Sequence, residues 1–128
     1  SPWTPAFGTG WAYQLYNGDA EKIHSQIPND VDILVNHGMP YGTMDRVERI
    51  FGIETDYHVG DKILTKKIDE IKPKIFAGGH LHCGYGVVKT KNTLYVNAAS
   101  CDERYYPVNK PWLIEMDLET KEVEVIDY

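Results

Sequence analysis

The sequence is poor in cysteine, in basic charge and in long apolar runs. Two cysteines, Cys83 and Cys101, among 128 residues are too few for a disulfide scaffold and predict a reducing, cytoplasmic setting. Acidic residues outnumber basic ones by 19 to 13, and the net charge of −6 argues against sequence-independent nucleic-acid binding. No sequence-specific nucleic-acid partner is expected either. No run reaches the ~18 apolar residues of a membrane span, so no membrane partner is expected.

The first residues also lack the basic segment followed by an apolar one that marks a secretory signal. Ser1 stands where an initiator Met would be expected, which predicts that an upstream segment has been removed or lost. What is present is 42% hydrophobic and 25% charged residues, the profile of a folded globular chain with one modest domain.

The apolar pattern predicts a mixture of helices and strands. Short apolar runs predict buried strands over 32–36 and 74–77, the first of them covered on both faces. Apolar residues at helical spacing predict a helix over 61–71, which Pro73 ends. Residues 41–60 lack a clean period and are predicted to be mostly loop. The remaining predicted elements are a short strand over 11–16, a helix over 20–26 and strands over 86–89, 94–98, 112–117 and 122–126. The result is an α/β fold built on a mixed sheet, with a closing hairpin.

Three of the five histidines follow directly on strands of the buried type. They are His37, His80 and His82, and the carboxyl ends of strands are where open α/β sheets build their sites. In extended backbone His80 and His82 would point to the same face, and imidazole suits Zn, Mn, Fe or Ni. The spacing therefore predicts a metal site. His24 and His58 are interpreted as solvated surface residues.

The segment Gly79-His80-Leu81-His82 resembles the Gly-His-x-His motif of the calcineurin-like metallophosphoesterases. Residues 32–40 resemble the preceding motif of that superfamily, a strand that ends in His and is followed shortly by Pro. The resemblance extends to the branch that includes the brain forms of metallophosphoesterase-domain proteins, at residues 1–5, 82–86, 95–98 and 112–117. It implies that residues 1–128 are a single partial domain. That domain would be the C-terminal half of a four-layer αββα sandwich, a mixed sheet with flanking helices.

The same resemblance implies a phosphoesterase that hydrolyses phosphodiesters or phosphomonoesters with two divalent ions, which are Mn, Fe or Zn. His37 and His80 would ligate one ion and His82 the other. The substrate would be a phosphate ester, with nucleotides among the candidates. No catalytic residue is assigned to this chain.

The carboxylates of the family's first half are not found here. Asp56-Tyr57-His58, Gly60-Asp61 and Asn36-His37 carry similar letters in the wrong context, and the bridging Asp is absent. A polypeptide that carries the N-terminal half is therefore expected as a partner. Self-association through an exposed sheet is the other expectation.

Two alternatives to the enzyme stay open. The first is a truncated or non-catalytic metal-binding scaffold without turnover of its own. The second is a small zinc module built from His80, His82 and Cys83, although Cys83 would point to the opposite face in extended backbone. Asn97, after a predicted strand, is expected to order a nearby loop by hydrogen bonds rather than to touch substrate.

Overall fold

The structure is a computed structural model that describes residues 1–16, 18–50 and 53–126. Helices and strands alternate in the first part of the chain, and strands dominate the second. Along the chain the elements are β1 (Thr4–Pro5), β2 (Gln14–Leu15), α1 (Asp19–His24), β3 (Ile33–Val35), β4 (Arg46–Ile50), β5 (Ile53–His58), α2 (Lys62–Ile71), β6 (Ile75–Gly78), a 3-10 turn (His82–Gly84), β7 (Gly86–Lys89), β8 (Leu94–Asn97), β9 (Leu113–Met116) and β10 (Val123–Ile126).

A four-stranded sheet in the order β3-β6-β8-β7 organises the fold. The strands β3, β6 and β8 are parallel, and β7 runs antiparallel to β8. The connection from β3 to its parallel neighbour β6 includes α2, as a parallel crossover requires. The prediction of a mixed sheet in an α/β fold is confirmed. Because β3 and β6 are parallel neighbours, the segments that follow them begin at the same edge of the sheet.

Each face of the sheet carries its own apolar core, because successive side chains of a strand point to opposite faces. On one face Leu34 and Phe76 pack with Leu64 and Ile68 of α2. On the other face a second core is formed by Ile75, Leu94, Val96 and Val123, with the β9–β10 hairpin packed against it. The described residues thus form three layers: helices, sheet and hairpin.

The helix α2 begins and ends as the sequence predicts. The Asp61 side chain caps it by accepting hydrogen bonds from the backbone N–H groups of Ile63 and Leu64, at 2.8 and 3.0 Å. The helix ends at Ile71, and Lys72 takes the left-handed conformation before Pro73. The shorter α1 ends two residues earlier than the predicted 20–26.

Residues 41–60 are not mostly loop, so that prediction is wrong. The strands β4 and β5 pair antiparallel over most of this stretch, with an irregular register between Val47 and Arg49. An inserted residue of this kind breaks the alternation of apolar and polar positions, which explains why the period was hidden in the sequence. Phe51 and Gly52, between the two strands, lie outside the described residues.

The strand β3 is covered on one face only, which corrects the expectation of cover on both. Leu34 is buried, whereas Ile33 and Val35 remain 48% and 60% exposed. The core beneath the β9–β10 hairpin involves β6 and β8 and does not include these two side chains. A fourth layer is not seen among residues 1–16, 18–50 and 53–126, so the four-layer sandwich stays a prediction. None of the helices described is long and apolar enough to cross a membrane.

Candidate metal centre

His37 follows the end of β3 and is held there through its backbone. Its N–H donates to the Ser1 carbonyl at 2.7 Å, and its carbonyl accepts from the N–H of Gly79 at 3.0 Å. The preceding Asn36 is buried, and its side-chain amide donates to the Trp3 and Gly38 carbonyls. The segments after β3 and β6 are therefore tied directly to each other.

His80 follows the end of β6 and turns sharply toward His37. It adopts a left-handed backbone conformation with φ of +67°. Its Nδ1 lies 3.1 Å from Nε2 of His37, and its ring packs against Phe7 with centroids 4.8 Å apart. Desolvation by burial, followed by the charges of His37 and His82, lowers the pKa of His80 below its usual value of 6.5. Neutral imidazole, the form that binds metals, is thereby favoured.

His82 opens the 3-10 turn instead of continuing an extended strand. The prediction that His80 and His82 share a face through extended backbone is therefore wrong in its geometry. Nδ1 of His82 lies 2.6 Å from the carbonyl of Asp102. All three histidines nevertheless line one cavity of about 560 Å³, which is also bordered by Phe7 and Tyr105.

Asn97 sits under the turn that carries His80 and His82. It is fully buried at the end of β8, donates from Nδ2 to the Leu81 carbonyl at 2.8 Å, and accepts from the N–H of Ala99 at 3.0 Å. Leu81 lies between the two histidines. The prediction that Asn97 orders a loop is confirmed.

Cys83 lines the same cavity as the three histidines, because it lies within the 3-10 turn that begins at His82. The expectation that Cys83 points to the face opposite His82 assumed an extended backbone. It is wrong because these residues form a 3-10 turn. Its thiol donates to the Arg46 carbonyl at 3.1 Å. Desolvation, with a smaller effect from the Glu103 carboxylate, raises the pKa of the Cys83 thiol above 9.0. The protonated thiol is favoured over the thiolate that a zinc module would need.

The chain is similar in sequence to several known proteins. It is 38% identical over 122 residues to metallophosphoesterase domain-containing protein 1 of Homo sapiens, covering 91% of this chain and 34% of that protein. It is 32% identical over 94 residues to a UPF0046 protein of Caenorhabditis elegans, covering 71% and 30%. The chain is a relative of the metallophosphoesterase domain-containing proteins. It spans about a third of the length of these curated relatives.

A differently named protein also matches part of the chain. A probable rhamnogalacturonate lyase C of Emericella nidulans is 35% identical over 88 residues, covering 67% of this chain and 7% of that protein. No protein-family model matches. The relationship to the metallophosphoesterase domain-containing proteins therefore rests on pairwise similarity over nearly the whole chain.

His37 and His80 have the spacing of two ligands that share one ion, as the metal centre implied by this metallophosphoesterase relationship would require. Two imidazole nitrogens that share one ion, each ~2.0–2.1 Å from it and separated by an angle between roughly 90° and 110°, lie about 2.8–3.4 Å apart. The 3.1 Å between Nε2 of His37 and Nδ1 of His80 falls in this range. Within the described part of the chain, no group of three or more His, Cys, Asp or Glu side chains is arranged to hold an ion.

The acidic residues that could be mistaken for metal ligands have other contacts. Asp61, in the segment Gly60-Asp61, caps α2 with Oδ1, and its Oδ2 lies 2.8 Å from Nε2 of His24. The side chain of Asp56 lies outside the described residues. Asp45, which the sequence analysis missed, is fully buried and lies 2.6 Å from Nδ1 of His58. No motif in the sequence marks Asp45, which directly precedes β4.

The interpretation of the other two histidines as solvated is wrong for His24. Its side chain is 1% exposed and pairs with Asp61 between α1 and α2. His58 is exposed as expected, with 42% of its side chain accessible, but it pairs with Asp45 rather than standing free. Neither lies among the residues that line the cavity of His37, His80 and His82.

Proposed function

We propose that this protein supplies the histidine ligands of a metal-dependent phosphoesterase centre that hydrolyses phosphodiesters or phosphomonoesters. The observation that carries the proposal is the 3.1 Å approach of the His37 and His80 ring nitrogens after neighbouring parallel strands. Relatives named for a metallophosphoesterase domain support the reaction class. Nucleotides are candidate substrates within the class of phosphate esters.

In this proposal His37 and His80 hold one divalent ion, and His82 holds a second. The ions are Mn, Fe or Zn, and when bound they would supply an activated hydroxide and neutralise phosphoryl oxygens. The chain's own residues orient these ligands. Asn36 holds the turn at His37, and Asn97 holds the turn between His80 and His82.

The carboxylate ligands are proposed to come from a segment outside these residues. Two observations support this: the described residues hold no complete ligand group, and the chain spans about a third of its curated relatives. The segment would belong to a partner polypeptide that carries the N-terminal half. Self-association through the exposed face of β3, at Ile33 and Val35, is the alternative proposal for a partner, and it would not supply the carboxylates. We also place the protein in the reducing cytoplasm, where the free thiols of Cys83 and Cys101 are stable.

The test is Mn²⁺-dependent hydrolysis of bis(p-nitrophenyl) phosphate by the protein isolated with its natural companion polypeptides. Native mass spectrometry of the same sample identifies any companion and any bound ion. His80→Ala and His82→Ala are expected to abolish turnover, whereas His58→Ala, away from the cavity, retains it. Turnover that is unchanged in both cavity variants would overturn the proposal. A wild-type sample that binds metal but hydrolyses nothing would instead favour the non-catalytic scaffold.

A further inference from the structure

The loop over residues 99–109 contacts the His82 ring through a hydrogen bond to one ring nitrogen and through the ring of Tyr105. The backbone carbonyl of Asp102 lies 2.6 Å from Nδ1 of His82. Because a carbonyl oxygen can only accept, Nδ1 must carry the hydrogen and donate it. Neutral His82 is then left with a lone pair on Nε2, the ring nitrogen free to bind a metal.

The Asp102 carbonyl is held in place by its own side chain. Oδ1 of Asp102 accepts from the backbone N–H groups of Arg104 and Tyr106, at 2.8 and 3.0 Å. The backbone N–H of Asp102 donates to the Tyr106 carbonyl at 2.9 Å, and the N–H of Tyr105 donates to the Asp102 carbonyl at 3.0 Å. These bonds close a tight turn with the acceptor of His82 at its corner.

The two ends of the loop are joined by Asn109. Its side-chain amide donates to the Ala99 carbonyl at 2.8 Å, and its backbone N–H donates to the Ser100 carbonyl at 3.1 Å. Ala99 in turn donates its N–H to Asn97, the buried residue beneath the His80–His82 turn. The Tyr105 and His82 rings make a T-shaped contact with centroids 5.2 Å apart. The loop and the histidine turn are therefore one hydrogen-bonded unit.

We infer that this loop is a positioning device that selects the Nδ1–H tautomer of His82 and presents Nε2 to the cavity. Asp102 and Asn109 are its positioning residues. An outer hydrogen bond of this kind orients a metal-bound histidine and raises its basicity. The tautomer selection stands on the hydrogen bonds alone, whereas its use in metal binding rests on the proposed function.

The first experiment reads the tautomer directly in metal-free protein, by ¹⁵N NMR of neutral His82. The wild-type protein is expected to show a protonated Nδ1 and an unprotonated Nε2. Asp102→Ala removes the acceptor that shapes the turn, so the two tautomers become mixed. Asp102→Asn keeps an Oδ1 acceptor and is expected to restore the wild-type spectrum. A wild-type His82 protonated at Nε2 would overturn the inference even if no variant folded.

Asp117→Ala is the matched control for the loss of an Asp turn. Oδ1 of Asp117 accepts from the N–H groups of Glu119 and Thr120, at 2.8 and 2.7 Å, in the β9–β10 turn. This arrangement repeats that of Asp102 without a histidine on the carbonyl. The control should leave the His82 tautomer unchanged. If both substitutions changed the tautomer of His82 equally, Asp102 would not be what determines it, and the inference would be overturned.

A Zn²⁺ titration separates this inference from the proposed function. Asp102→Ala is expected to weaken Zn²⁺ binding about 10- to 100-fold, the usual effect of losing such an outer contact. Asp102→Asn and Asp117→Ala should bind as the wild type does. If His82→Ala binds Zn²⁺ as tightly as the wild type, the proposed function fails at His82 while the tautomer result still stands. If the tautomer changes in Asp102→Ala but the affinity does not, the positioning role in metal binding is overturned.

Discussion

His24 and Asp61 form a buried pair that joins the two helices. Nε2 of His24 lies 2.8 Å from Oδ2 of Asp61, and both side chains are at most 6% exposed. Oδ1 of the same carboxylate caps α2. One side chain thus serves the start of α2 and its contact with α1.

Replacing Asp61 by Ala should destabilise the protein by about 2–4 kcal/mol. Loss of an N-cap costs ~1 kcal/mol, and leaving the buried His24 nitrogen unpaired adds ~1–3 kcal/mol. The measurement is urea unfolding followed by circular dichroism. Asp69→Ala, on the exposed face of the same helix, is the control and should change stability little. Equal effects of the two substitutions would contradict the role given to Asp61.

The same carboxylate should make stability fall in acid. Burial acts to raise the pKa of Asp61, but the hydrogen bond from His24 and those from the Leu64 and Ile63 N–H groups outweigh it and lower the pKa below 3.8. A carboxylate with a lowered pKa stabilises the fold above the unfolded value and loses that effect as the pH falls through the folded value. Stability should therefore drop as the pH falls below about 3.8.

The acid loss can be assigned to Asp61 by comparison with Asp61→Asn, which keeps an Oδ1 acceptor but cannot ionise. Urea midpoints measured from pH 5 down to pH 2 should fall more steeply in the wild type than in this variant. Parallel curves would mean that other carboxylates dominate the acid response.

At the scale of residues, the sequence reveals motifs but hides partners. His37, His80 and His82 were recognisable because each follows a strand and two belong to a Gly-His-x-His segment. The burial of His24 could not be predicted, since its partner lies 37 positions away along the chain. The acceptor for His82 is a backbone carbonyl, which leaves no trace in the side-chain letters.

At the scale of elements, the parallel strands and α2 were predictable and the β4–β5 hairpin was not. The strands β3 and β6 are short apolar runs that end in turn residues, and α2 has an Asp cap and a proline beyond its end. The hairpin has a register irregularity near Val47, which removes the period of two on which strand prediction depends. Likewise, the His80–His82 geometry depends on one left-handed residue that a pattern of letters does not reveal.

The 3-10 turn that carries His82 depends on the absence of a side chain at Gly84. A Cβ there would clash with the Met44 carbonyl oxygen, which belongs to the backbone and cannot move alone. Gly84→Ala should therefore destabilise the protein by about 1–3 kcal/mol, the usual cost of overpacking. Thermal unfolding measures it. Gly8→Ala, where the added Cβ meets only the Trp11 side chain at 3.6 Å, should have little effect. A Gly84→Ala protein as stable as the wild type would contradict the close approach.

At the scale of the whole molecule, two cores on opposite faces hold the sheet between α2 and the β9–β10 hairpin. The general α/β layout followed from the order of the elements. The strands that the β9–β10 hairpin covers could not be predicted from the sequence, because they depend on packing between distant segments. The exposure of Ile33 and Val35 is the result of that packing.

The hairpin-side core can be tested by a matched pair of valines on neighbouring strands. Val96 of β8 is 2% exposed, whereas Val88 of β7 is 44% exposed. Val96→Ala should lower the free energy of unfolding by about 1.5–3 kcal/mol through lost burial and the cavity left behind. Val88→Ala should cost much less. Chemical denaturation measures both losses, and a larger loss at Val88 would contradict the assignment of the buried face.

The central claim is that His37 and His80 form a divalent-metal site, and isothermal titration of the purified chain with ZnCl₂ tests it most directly. Saturable binding is expected for the wild type, with a large loss in His37→Ala and His80→Ala. His58→Ala, whose imidazole lies outside the cavity, should bind as the wild type does. Binding that is equal in all four proteins, or lost only in His58→Ala, would contradict the account.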